Sequence, residues 1–139
     1  LHQLKYNTLH RNPEDEGLIR QAAKNGSGLI VFSPLAQGLL TDRYLNGIPA
    51  GSRASRDFSL KKDSLTPELL EKLEKLNHIA GERGQTLAQM ALAWVLRDSM
   101  VTSVIVGASS IEQLDNNLLS IRNTRFSDEE IELINVLTR

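Results

Sequence analysis

The stretch Gly28-Leu29-Ile30-Val31-Phe32, followed directly by Ser33-Pro34-Leu35-Ala36-Gln37-Gly38-Leu39-Leu40, decides how the rest of the chain is read. A short, continuous apolar run with β-branched residues predicts a strand buried on both faces. In a parallel α/β protein the ligand sits at the C-terminal ends of the strands. There the Ser33 hydroxyl, free backbone N–H groups and the small Gly38, with Arg43 nearby, suit close approach to a diphosphate. An ordinary strand-to-loop turn uses the same residue types, and chemistry alone leaves both readings open.

Working outward, the N-terminal side opens with Leu1-His2-Gln3-Leu4-Lys5-Tyr6, an apolar/polar alternation that predicts a strand. Asn12, Pro13 and the acids Glu14, Asp15 and Glu16 predict a helix start, and Gly26 its stop. On the other side, Thr41 to Ser64 has no sustained period and reads as a long loop. Thr66-Pro67-Glu68 opens the next helix, which stops at Gly84. Thr86 with Gln89 forms a capping box for another. A strand follows at Val101–Val106, then a helix capped by Ser109 or Ser110 and running to about Ile121. Ser127 with Glu130 makes a second capping box, with Phe126 and Ile131 at the staple positions. Strands alternating with helices argue for parallel β/α units. A closed (β/α)8 barrel needs about 250 residues, against 139 here. Periodicity alone allows a piece of a barrel or a small open α/β domain.

Gly107-Ala108-Ser109-Ser110 repeats the arrangement at a second strand end. A helix begins there, and its unpaired N–H groups and positive dipole end favour phosphate. Gln113, Asn116 and Asn117 follow within two turns as further hydrogen-bonding side chains; a plain helix cap is the alternative. No self-sufficient catalytic constellation is found. His2, His10 and His78 read as surface or packing histidines without ligand-like partners, and no metal site is expected.

Composition narrows the class. A net charge of −1 gives no reason to expect a nucleic-acid or acidic-membrane partner. The absence of cysteine excludes a disulfide framework, a thiolate zinc site and a cysteine nucleophile within these residues. No apolar run approaches the roughly 18 residues of a membrane span, so no membrane insertion is expected, and the default address is the cytoplasm. Asn25-Gly26-Ser27 matches a glycosylation sequon and is read as chance. A start on Leu1 leads us to expect a segment of a longer protein.

At the two strand ends, and through nearly the whole chain, the sequence resembles the aldo-keto reductase superfamily, nearest to the branch of potassium-channel β subunits and related bacterial reductases. The matching strings are Gln3-x-x-Tyr6-Asn7, Phe32 to Thr41, Tyr44-Leu45-x-Gly47-Ile48-Pro49, Ser52-Arg53-Ala54-Ser55, Gln89 to Arg97, and Thr102 to Asn117. The resemblance implies an α/β fold: the C-terminal portion, strands six to eight with their helices, of a (β/α)8 TIM barrel. Residues 1–139 would carry the cofactor-binding segments, the catalytic N-terminal part lying outside them. It implies NADPH as cofactor, with Gln3 on the nicotinamide carboxamide and Phe32 stacked on its ring. Ser33, Pro34, Leu35, Gln37, Gly38 and Leu40 would line the diphosphate. Arg43 and Arg53 would serve the diphosphate and 2′-phosphate, and Gly107, Ser109, Gln113, Asn116 and Asn117 the adenosine half. Arg43 stands where the family more often has Lys, and Asn116 where it more often has an acid. The implied activity of the full-length protein is NADPH-dependent reduction of aldehydes or ketones to alcohols. No catalytic residue falls in this chain, which alone is expected to be inactive. The alternative is a non-catalytic NADPH-binding regulatory module of the channel β-subunit type. Unpaired sheet edges in so partial a barrel lead us to expect that the isolated chain is either unstable or self-associating, with a homo-oligomer as one outcome.

Overall fold

Strands β1 (His2–Lys5), β2 (Leu29–Phe32) and β3 (Val101–Val104) pair in parallel in the order β1-β2-β3. They belong to a computed structural model that describes residues 1–52, 54–56 and 60–139. Helices α1 (Asn12–Asp15) and α2 (Leu18–Lys24) connect β1 to β2. Helices α3 (Pro67–Glu82) and α4 (Leu87–Leu96) precede β3, and α5 (Ile111–Leu118) and α6 (Asp128–Thr138) follow it.

Local chemistry sets most of these boundaries. The Thr66 hydroxyl accepts from the Leu69 N–H, and both capping boxes close reciprocally at Thr86/Gln89 and Ser127/Glu130. Ser110, rather than Ser109, caps α5, and that helix tightens into a 3-10 turn over Leu119–Arg122. The first helix departs from expectation. Arg11, not Asn12, occupies the cap position without a side-chain cap bond, and the helix breaks in two at Gly17, whose φ of 73° is left-handed. The cause is non-local. The buried Arg11 side chain bonds Glu14 within α1 at 2.7 Å and also reaches Asn135 on α6 at 2.5 Å, a tertiary contact that fixes the turn before α1.

Leu29 and Val31 bury one face of β2, whereas Ile30 is half-buried and Phe32 is 37% exposed. The strand is thus buried on one face, not two. Register places Gln3 beside Ile30 and Lys5 beside Phe32 on this open face. Beneath the other face lies the core. Helix α4 is buried from Leu87 to Val95, and Leu73, Leu76, Met90, Trp94 and Ile134 are fully enclosed with it. Each such side chain contributes about 1.5–3 kcal/mol through burial.

Two features brace the periphery. The long loop folds around its own small cluster of Tyr44, Ala54 and Leu60, with the Ala54 N–H donating to the Tyr44 hydroxyl at 3.4 Å. Glu14 is a hub that accepts from the Tyr6 hydroxyl and the guanidinium groups of Arg11, Arg97 and Arg139. Arg97 and Arg11 also lie over the Trp94 ring, at 3.8 and 5.0 Å from its centroid. This cluster ties the turn after β1 to α4 and to the end of α6. Burial raises the Glu14 carboxyl, but the Tyr6 and Arg11 hydrogen bonds and the Arg charges outweigh it, leaving Glu14 below its ordinary value. Burial pushes the Tyr6 phenol well up.

Candidate functional site

A cleft of about 450 Å³ opens where the ends of β2 and β3 meet. One wall is the segment after β2, contributing Ser33, Pro34, Leu35, Gln37 and Gly38, with Thr41 and Arg43 beyond. The other is the segment after β3, from Ile105 to Ser109, together with Gln113 on α5. The two strand-end segments that the sequence singled out separately thus face each other across one cavity.

The β2 wall is strained. Ser33, Ala36 and Gln37 have φ of 54°, 49° and 61°, left-handed conformations that side chains other than glycine rarely adopt. Each costs about 1–2 kcal/mol, and three within five residues mark a segment held by its surroundings for a purpose. Turn bonds from Ala36 N–H to the Ser33 carbonyl at 3.1 Å and from Gly38 N–H to the Leu35 carbonyl at 2.9 Å close it locally. Gln37 Oε1 is buried without a hydrogen-bond partner among the described residues. The cleft wall thus holds a polar group whose hydrogen bond is left unmade among the described residues.

Among the described residues, Arg43 is the charged residue lining the cleft. Its position follows from Thr41, whose hydroxyl donates to the Gly38 carbonyl at 2.7 Å and accepts the Arg43 N–H at 3.2 Å. Thr41 had no assigned role in the sequence reading, although a threonine before Asp42-Arg43-Tyr44 is a recognisable cap. Ile105, Val106 and Ala108 were likewise missed, because only topology shows that this backbone faces the other wall. On that wall, Ser109 N–H and hydroxyl both contact Gln113 Oε1, at 2.7 and 3.0 Å. The first-turn N–H groups of α5 have no partners within the helix. Apart from its chain neighbours, Gly107 has no atom of the described residues within 4 Å of where a Cβ would stand.

Five expected site residues do not line this cleft. Gln3 and Phe32 sit on the open sheet face next to it. Leu40 is enclosed in the core. Asn116 turns to α4, where its Oδ1 and its carbonyl accept from Gln89 at 2.9 and 3.0 Å. Asn117 is buried, with Nδ2 lacking a partner among the described residues. Arg53 lies outside the described residues. His78 does have an acidic neighbour one turn on, Glu82 at 3.5 Å, but both are exposed. No cluster of three or more His, Asp or Glu suited to a metal occurs among the described residues. None of the described helices is long and apolar enough to cross a membrane.

Comparison with known proteins agrees with this architecture. The aldo/keto reductase family description matches residues 1–139. The L-glyceraldehyde 3-phosphate reductase of Escherichia coli O157:H7 is 49% identical over 139 residues, covering 96% of this chain and 40% of its own length. A putative voltage-gated potassium channel subunit beta of Schizosaccharomyces pombe is 39% identical over 123 residues, covering 86% of this chain and 36% of itself. An aldo-keto reductase of Bacillus halodurans in its holo form superposes with a TM-score of 0.73 at 27% identity, over 100% of this chain and 43% of that one. The chain therefore spans well under half the length of these proteins, and its three strands with their helices are a portion of a (β/α)8 barrel.

Proposed function

This chain belongs to the aldo/keto reductase family, and from that premise we propose that it supplies the dinucleotide-binding wall of an NADPH-dependent carbonyl reductase. The observation that carries this reading is the cleft between the two strand ends, with its strained polar wall, its Gln37 amide and, among the described residues, the lining cation Arg43. NADPH, when bound, supplies the hydride for reduction of an aldehyde or ketone to an alcohol.

The residues present fit such a ligand. Ser33, Leu35, Gln37 and Gly38 bring hydroxyl, amide and backbone groups to a diphosphate, and Arg43 brings the opposing charge. Pro34 stiffens the same wall, and Leu40 anchors it from the core. Ser109 and Gln113 exchange their mutual bond for ribose or phosphate contacts at the α5 N-terminus. Gln3 and Phe32, on the open sheet face, take the nicotinamide carboxamide and ring. Arg53 is assigned the adenosine 2′-phosphate. Asn116 and Asn117 are assigned the adenosine end, which requires Asn116 to leave Gln89. The proton donor and the rest of the substrate pocket are assigned to the remainder of a longer, cytoplasmic protein. The similarity to L-glyceraldehyde 3-phosphate reductases favours a short, phosphorylated aldehyde as substrate.

A second reading is supported by the similarity to channel β subunits: a regulatory module in which NADPH occupancy matters more than turnover. One experiment separates the two. The full-length protein is titrated with NADPH and then assayed for NADPH oxidation against simple aldehydes, ketones and glyceraldehyde 3-phosphate. Saturable binding with turnover supports the reductase, and binding without turnover on any carbonyl supports the regulatory module. Failure of the folded protein to bind a nicotinamide nucleotide defeats both.

A further inference from the structure

The strained wall is held from a distance by a residue that does not line the cleft. Asn7, in the turn after β1, is completely buried. Its Nδ2 donates to the Ser33 carbonyl at 2.8 Å across 26 residues of sequence. Its Oδ1 accepts from the Leu9 N–H at 3.0 Å, so the amide is committed at both ends and its orientation is set. The turn that carries it is closed by paired backbone bonds between Asn7 and His10, at 3.0 and 3.3 Å. It is also tethered beside the Arg11–Glu14 cluster. Among the described residues, Asn7 makes the one long-range side-chain bond recorded to residues 33–38; the other, from Thr41 to Gly38, is local. The Ser33 carbonyl accepts from both Asn7 and Ala36, so this bond acts where the chain enters its left-handed course.

We propose that Asn7 is a positioning residue for cofactor binding: through the Ser33 carbonyl it holds the 33–38 loop in the shape that forms the cleft wall. This inference rests on the reading of that cleft as the NADPH site. Asn7 touches neither cofactor nor substrate and acts only through the loop. Its loss therefore weakens binding of NADPH while leaving the chemistry of the saturated enzyme in place.

The test compares the full-length wild type with Asn7→Leu, which is near in size but lacks the donor. Asn7→Asp is the second variant, setting an acceptor against the Ser33 carbonyl. NADPH affinity is read by fluorescence titration, kcat and both KM values by steady-state assay, and loop order by amide hydrogen exchange of residues 33–38. Expected are a Kd and KM for NADPH raised about tenfold, which is about 1.4 kcal/mol, and faster exchange at 33–38. The kcat at saturating NADPH and the KM of the carbonyl substrate stay within about threefold, about 0.65 kcal/mol. Adding Ala36→Gly to Asn7→Leu recovers part of the affinity, since glycine takes a φ of 49° without a Cβ clash; a general loss of stability would instead speed exchange across the whole chain rather than at 33–38 alone. Unchanged NADPH affinity in both variants, with wild type binding normally, overturns this inference alone. Wild type that binds no NADPH overturns the cofactor reading and this inference with it. If neither variant folds, Asn7 is a folding residue and the proposal fails.

Discussion

Replacing Glu14 with Gln probes the hub that fixes the turn after β1. The substitution keeps the shape of the side chain and removes its charge. The Arg11 guanidinium, whose side chain is only 7% exposed, loses the carboxylate that it contacts at 2.7 Å. A hydrogen bond to a charged group contributes about 1.5–3 kcal/mol. Arg139, 46% exposed and 2.6 Å away, adds little because solvent screens it. Glu14 itself is 18% exposed, so the loss falls short of the 3–5 kcal/mol typical of breaking a fully buried pair, and about 2–3 kcal/mol is expected. The folded carboxyl lies below its unfolded value. Its contribution is therefore complete above the unfolded value and disappears as pH falls through the folded one. Urea denaturation of wild-type and Glu14→Gln full-length protein should show the full gap near neutral pH, closing as acid protonates Glu14. A gap of less than about 0.5 kcal/mol at neutral pH, or one that does not change with pH, would mean that the Glu14 carboxylate does not brace this turn.

Three further outcomes follow from particular positions. Gly28→Ala should destabilise by about 1–3 kcal/mol, because its Cβ would stand 2.1 Å from Thr102 Oγ1. Thermal melts should show Thr102→Ala relieving most of that loss; no relief would mean the clash lies elsewhere. Gly107→Ala should leave the melting temperature unchanged, since nothing lies within 4 Å of the new methyl, yet weaken NADPH binding by occupying the cleft; unchanged affinity would place the cofactor away from Gly107. A polypeptide confined to residues 1–139 should self-associate in light scattering. It carries two unpaired sheet edges and exposed Ile111, Leu118 and Ile121 on and after α5, and a monodisperse monomer with a cooperative melt would contradict this.

What was legible in the sequence was what local chemistry decides. Thr66, Thr86 with Gln89, Ser110 and Ser127 with Glu130 cap their helices as read, because a hydroxyl and an N–H two or three residues on need no outside help. The β2 strand and its turn, and the opposing Gly107–Ser110 segment, were visible for the same reason. Long-range partners were not visible. Arg11 took the cap position from Asn12 because its side chain answers to Glu14 and Asn135. The open face of β2 depends on what packs against it, which an apolar run cannot report. Asn7 was seen only as a letter in a matching string, since its meaning depends on Ser33, 26 residues away. Asn116 and Asn117 have the residue types of ligand contacts, yet helical phase carries Asn116 to Gln89 and buries Asn117.

The cleft between the ends of β2 and β3 is the proposed seat of the dinucleotide. Amide hydrogen exchange of the full-length protein with and without saturating NADPH tests it most directly. Slowed exchange across residues 33–43 and 105–113 is the predicted result. Saturable binding with protection confined to other segments, or no binding by the folded protein, would contradict it.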